Sequence, residues 1–208
     1  MNRAPIVIAT SNRGKFREIA FSLAGLPLEC LSLAEAGNTD EVREEGTTFL
    51  QNARLKSRAY SLKTGHLTLA EDSGLEVRHL GGEPGIYSAR FSAPRPTDEK
   101  NIRKVLRLMK GVPWDRRQAG FVCCLVLARK GRIIKEVQGE VKGRIAFRKA
   151  GHSGFGYDPI FYYHPFRRTF GQLSAEEKNR VSHRGRALRR MRGFLSLHLE
   201  SKQAGEPR

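Results

Sequence analysis

The chain has 208 residues, with 38 Lys and Arg against 21 Asp and Glu, for a formal net charge of +17. At about 100 to 200 residues per domain, it holds one compact domain or two closely joined lobes, here read as a single domain over 1–202 with a frayed tail over 203–208. The longest apolar run, Phe121 to Ala128, falls far short of the roughly 20 residues that span a bilayer. Ile6 to Ala9 is too short for the apolar core of a signal peptide, so a soluble cytoplasmic protein with no membrane partner is expected. Cys30, Cys123 and Cys124 form no CxxC pair, which argues against a disulfide framework or a structural zinc site. The basic excess raises the question of nucleic acid. From Pro165 to Arg208 there are 11 basic and 4 acidic residues without the aromatic-flanked stretches of a stacking platform. A diffuse basic surface that attracts polyanionic small molecules is therefore preferred, with nucleic acid not required.

Ile6 to Ala9 reads as a short buried strand and Thr10 to Lys15 as a polar turn. Phe16, Ile19, Ala20 and Leu23 then recur at helical spacing until Gly25. A second helix is expected from about Thr48 to Lys63, with Gly65 past its end and a polar stripe of Thr48, Asn52 and Lys56 on one face. Leu67 to Ala70 reads as a strand that ends in Glu71-Asp72-Ser73-Gly74, with Leu75 and Val77 opening the next strand. A third helix starts near Thr97 or Asp98 and closes at Gly111. Phe121 to Ala128 and Ile133 to Gly139, joined by Arg129 to Arg132, form a hairpin, in which Cys123 and Cys124 are core fillers. Ser174 and Glu177 make a capping box for a short helix, and Leu188, Met191, Leu195 and Leu199 stripe the last one. The composite is an α/β chain with a mixed sheet.

Four segments could carry chemistry. Thr10, Ser11, Asn12, Arg13, Gly14 and Lys15 lie between a strand and a helix N-terminus, where open backbone N–H groups and the helix dipole favour an anion. The same residues also suit a plain N-capped turn with a solvated lysine. Glu44, Glu45, Glu71 and Asp72 are dense acids in a basic chain. They fit the one or two hard oxygen ligands that Mg2+ prefers, or else a solvated helix entry and a turn cap. Gly154-Phe155-Gly156-Tyr157-Asp158 sets aromatics and a carboxylate among glycines, so Phe155 could stack on a heterocycle or be buried between strands. Lys178 and Ser182-His183-Arg184-Gly185 sit at a helix junction, where His183 could equally be an ordinary surface histidine.

Together these blocks resemble the inosine/xanthosine triphosphate pyrophosphatases: TSNRGK at 10–15, EEGTTF at 44–49, QNARLK at 51–56, AEDSGL at 70–75, GGEPGIYSAR at 81–90, GFGYDP at 154–159, EEK at 176–178 and SHRG at 182–185. The resemblance implies an elongated mixed sheet flanked by helices, two lobes around a central substrate cleft, and a homodimer. It implies a Mg2+-dependent hydrolase that splits dITP, ITP and XTP into the monophosphate and pyrophosphate. By that resemblance Thr10 to Lys15, Ser73, Phe155 to Asp158, Lys178, His183 and Arg184 contact the purine nucleoside triphosphate, and Glu44 and Asp72 hold the metal. Asp72 then serves as the base, while Lys56 and Lys178 offset charge on the phosphates. Glu71, where the family often has Asp, and Gln51, where it often has Glu, depart from the pattern. Two rivals remain at this level: a Maf-type nucleotide pyrophosphatase of different base preference, and a basic nucleic-acid-binding module.

Overall fold

The computed structural model describes residues 3–37 and 40–204. From 205 on, the expected tail lies outside the described residues. Among the described residues seven strands form one mixed sheet in the order β2-β1-β3-β4-β5-β6-β7, so the α/β class expected from the sequence holds. The chain divides into two compact units: 1–72, 124–138 and 185–208 in the first, and 73–123 and 139–184 in the second.

In the first unit, β1 (Ala4–Ala9) leads into α1 (Arg13–Leu23), which returns the chain to β2 (Leu28–Leu31) parallel to β1. Ile6, Val7 and Ile8 are fully buried, as expected for a strand covered on both faces. α2 (Phe49–Thr64) begins at its Thr48 cap, whose side chain accepts from the Gln51 N–H, and Gly65 closes it. Such a cap is worth about 1 kcal/mol. Its inner face is partly polar, since Asn52, Ser57 and Ser61 are buried beside Phe49, Ala53 and Tyr60. The Tyr60 hydroxyl donates to Asp40 O at 3.1 Å and accepts from Val42 N–H at 3.2 Å, which pins the segment leading toward Glu44. α5 (His183–Ala204) buries Leu188, Met191 and Leu195 in this unit.

β3 (Leu67–Val77) corrects the sequence reading. It is one strand of 11 residues, so Glu71 to Gly74 lie inside it and not in a break between two strands. Turn-like composition misled here because Glu71 and Asp72 are buried with charged partners, which composition does not reveal. Arg13, Gly14 and Lys15 likewise belong to the first turn of α1 and not to the polar turn. β4 (Gln118–Arg129) and β5 (Arg132–Ile145) are longer than expected, and only Lys130 and Gly131 join them. Both have positive φ, 50° and 75°, the pairing that a two-residue hairpin turn of matching twist requires. Cys123 and Cys124 are buried, as expected.

In the second unit, α3 (Asp98–Leu108) starts at a Thr97 cap and buries Asn101, Ile102 and Val105. Its core is completed by Phe121, Val141, Ile145, Ile160, Phe161, Phe170 and Leu173. β6 (Phe161–Tyr163) pairs antiparallel with β5 and with β7 (Arg168–Thr169). Arg117 is 2% exposed, and its guanidinium donates to the carbonyls of Met109, Val112, Ile145 and Ala146. α4 (Ala175–Val181) carries the expected capping box, with Ser174 and Glu177 each bonding the other's backbone N–H. No helix among the described residues is long and apolar enough to cross a membrane.

Candidate active site

The first unit gathers the acids and two lysines. Thr10 Oγ1 accepts from Asn12 N–H at 3.2 Å, and Asn12 Oδ1 accepts from Lys15 N–H at 3.0 Å, so the link from β1 folds onto itself as an N-cap. Ser11, Asn12 and Arg13 are exposed, Thr10, Gly14 and Lys15 half-buried, and no acid occupies the first turn of α1. Its N-terminus keeps its positive field, to which Lys15 adds a full charge. Lys15 Nζ lies 3.5 Å from Glu71 Oε1, and the Glu71 side chain is wholly buried. Lys56, one face of α2 along from Asn52, lies 2.6 Å from Glu44 Oε1 and 3.6 Å from Asp72 Oδ1.

Asp72 is the junction of this cluster. Burial pushes its carboxyl above the ordinary aspartate value; Lys56 and Lys15 pull it down, Glu44 pushes it up, and the Asn52 hydrogen bond lowers it. Such opposed influences are typical of functional sites. Asn52, completely buried, donates from Nδ2 to Asp72 Oδ2 at 3.2 Å and accepts from Gly46 N–H at 2.8 Å. It thereby ties the Glu44 loop to β3. Sequence reasoning found Asn52 only as a member of a polar stripe and gave it no role.

Among the described residues no group of three or more His, Cys, Asp or Glu is arranged as a metal cage. Glu44 and Asp72 nonetheless share a partner, with Lys56 Nζ 2.6 Å from Glu44 Oε1 and 3.6 Å from Asp72 Oδ1. Two hard carboxylates are the protein share of a Mg2+ shell that water and phosphate oxygens complete, so the donor set fits that ion.

The second unit gathers an aromatic and three cationic or imidazole side chains. Phe155 is half-buried, with Lys178 Nζ 4.5 Å and the Arg184 guanidinium 5.3 Å from its ring centroid. Lys178 also donates to Asp158 Oδ2 at 2.6 Å, and the same oxygen accepts from Phe155 N–H at 2.9 Å. Gly154 has φ +77°, and a Cβ there would stand 2.0 Å from Asp158 Oδ2; only glycine permits the loop to close on that carboxylate. Arg184 Nη2 donates to Ser73 Oγ at 3.1 Å, and His183 stacks on Phe121 with centroids 4.7 Å apart. His183 is 4% exposed, so it is not a surface histidine.

The remaining loop residues serve as supports. Tyr157 is buried; its hydroxyl donates to Ser88 O at 2.8 Å, and burial with the nearby Asp98 pushes its ionisation far up. Asp98 accepts from Gly156 N–H at 2.7 Å, so the start of α3 holds the loop. Ser88 Oγ accepts from Leu75 N–H at 2.9 Å, and its carbonyl also accepts from Asn101 Nδ2 at 3.3 Å. The sequence reading assigned no part to Asp98, Ser88 or Asn101. Asp98 leads α3 as a first-turn acid, and nothing in that position alone distinguishes a loop clamp from an ordinary helix start.

The chain is similar to known proteins over most of its length. The family model described as Ham1 family matches residues 6–194. A relative from Desulforamulus reducens, called dITP/XTP pyrophosphatase, is 42% identical over 191 residues, covering 92% of this chain and 95% of its own. One of the same name from Photorhabdus laumondii is 46% identical over 188 residues, covering 89% and 95%. The solved structure of a HAM1 protein from Coxiella burnetii superposes with a TM-score of 0.85 at 35% identity, covering 93% of this chain and 98% of that one. With a match running from β1 into α5, this chain belongs to the Ham1 family.

Proposed function

We propose that this chain hydrolyses dITP, ITP and XTP to the nucleoside monophosphate and pyrophosphate, acting in the cytoplasm as a homodimer with residues 1–202 as its catalytic domain. The observation that carries this reading is the set of lysines and carboxylates at the α1 N-terminus. Lys15 lies 3.5 Å from Glu71 and Lys56 lies 2.6 Å from Glu44 and 3.6 Å from Asp72, and both lysines pull the Asp72 carboxyl down against its burial. The activity name shared by the relatives supplies the substrate class and favours this reading over the Maf-type and nucleic-acid-module alternatives.

In this reading Ser11, Asn12, Arg13 and the first-turn N–H groups of α1 receive the triphosphate, with Thr10 and Gly14 shaping the turn. Lys15 and Lys56 offset phosphate charge, which is worth most where water is excluded. Glu44 and Asp72 would hold Mg2+, which supplies charge neutralisation and alignment of the phosphates for in-line displacement. Asp72 takes the proton of the water that attacks the α-phosphorus while pyrophosphate leaves. Its raised carboxyl, lifted first by burial, makes it a stronger base than an exposed aspartate.

For the base, Phe155 offers a stacking face, and Arg184 and His183 donate toward O6 of a 6-oxopurine. Adenine presents an amino donor at that position, so donor would meet donor. Ser73 orients Arg184. Asp158 holds Lys178 and the Phe155 backbone in place, with Gly156 and Tyr157 fixing the loop. Pyrophosphate release measured across dITP, XTP, dATP, dGTP, dTTP and UTP, with and without Mg2+, tests the proposal. Turnover confined to dITP and XTP in the presence of Mg2+ is expected, and preference for a pyrimidine would refute it.

A further inference from the structure

The net charge of +17 is larger than the lysines and arginines of the site require, and the second unit carries a surface that uses some of the remainder. Three aromatic rings meet there, none of them a residue assigned to the site. Trp114 lies 5.7 Å from Phe147 at an interplanar angle of 32° and 5.1 Å from Tyr162 in an edge-on contact. Phe147 is 64% exposed. Its position is nonetheless fixed from below, because buried Arg117 donates to the carbonyls of the two preceding residues, Ile145 and Ala146, at 2.6 and 2.9 Å. The same guanidinium lies 4.6 Å from the centroid of the Phe147 ring. A rigid support thus holds a large apolar ring in solvent.

Cations are interleaved with these rings. Arg144 stands opposite Tyr162 in the β5–β6 register, and cross-strand partners share a face; its guanidinium is 5.2 Å from the Trp114 ring. Lys142 is two residues back on the same face of β5, and Arg148 follows Phe147; both are exposed. Two exposed acids bound the patch. Asp115 is next to Trp114, and Glu140 lies two residues before Lys142 on β5. A polyanion on this face would therefore run from Lys142 toward Arg148 and away from Glu140.

Aromatic faces interleaved with cations on a sheet surface suit a strand whose bases are unpaired, because every base has a face to stack and every link has a phosphate to neutralise. A double helix keeps its base faces covered. We propose that this face of the second unit binds single-stranded nucleic acid, with bases stacked on Phe147 and Trp114 and phosphates on Arg144 and Lys142.

The test is fluorescence anisotropy of the full chain with a labelled dA oligonucleotide of about 12 residues and an abasic strand with the same number of phosphates. The dA strand should bind about tenfold or more tightly than the abasic one. Phe147→Ala should bring the two toward equality, and Arg144→Ala should weaken both and lower the salt slope by about one between about 50 and 200 mM. Neither variant should change dITP turnover, which also reports that they fold. Equal affinity of wild type for the two strands would reduce the patch to bare charge and overturn the proposal. So would unchanged dA binding by Phe147→Ala. A third contrary result is a fall from dimer to monomer on Phe147→Ala in sedimentation, which would assign the face to a second copy of the chain.

Discussion

Asn52 and Asp72 are joined by a buried hydrogen bond of 3.2 Å, and the second half of the Asn52 amide holds Gly46 N–H at 2.8 Å. One side chain therefore orients the proposed base and fixes the loop that carries Glu44. Asp72→Asn keeps the shape but removes a negative charge and the proton acceptor. It should lower kcat by on the order of 10² or more with the thermal midpoint little changed. A folded variant with near wild-type turnover would take Asp72 out of the reaction.

Asn52→Ala should act on both properties at once. Loss of a hydrogen bond to a charged group costs about 1.5 to 3 kcal/mol, so the thermal midpoint should fall. kcat should drop while KM for dITP moves little, because Asn52 positions groups and does not face the base. A change in KM alone would show that Asn52 meets substrate.

Gly154→Ala should be costly for a residue with no side chain of its own. The positive φ and the 2.0 Å clash with Asp158 together predict a loss of more than about 1 kcal/mol. The loop would have to move off Asp158, so KM should rise with the loss of stability. Calorimetry and steady-state kinetics on the same preparation check both.

Phe155→Ala should raise KM for dITP and XTP about equally, since stacking is worth ~1 to 3 kcal/mol and does not depend on which base is stacked. Very different responses of the two substrates would mean that Phe155 reads identity.

Arg184→Ala should lower kcat/KM for dITP and shrink the ratio of dITP to dATP, because truncating a buried donor weakens the right partner and relaxes exclusion of the wrong one. The variant also leaves Ser73 Oγ without its 3.1 Å donor, so Ser73→Ala should reproduce a weaker version of the same change. An unchanged ratio in Arg184→Ala would assign the residue to the phosphates or to the fold.

Much of this was readable from sequence where the signal is local. The helix closed by Gly65, the Thr97 start of α3, the Ser174 and Glu177 box and the β4–β5 hairpin all follow from neighbours within a few positions, whereas Thr48, read as part of a helix face, caps α2 from outside it. β2, β6 and β7 have four, three and two residues, too few for alternation to register, and they exist because a longer strand offers them an edge. The continuity of β3 was hidden for a different reason. Glu71-Asp72-Ser73-Gly74 reads as a turn until Lys15 and Lys56, distant in sequence, are seen to accompany its carboxylates. At the site, resemblance supplied the residues of the ordered blocks, Ser88 among them though without a role, whereas Asp98 and Asn101 bond backbone groups that only the folded chain brings near.

Arg117 has a consequence for how the second unit comes apart. Its single planar group bonds carbonyls from the end of α3 and from the end of β5, so neither segment can fray without abandoning several bonds in a buried place. The two should open as one cooperative unit in native-state hydrogen exchange, with matching free energies for Met109 and Ala146 amides. Lysine has the charge but lacks the fork. Replacing Arg117 with it should uncouple the two protections before it unfolds the whole.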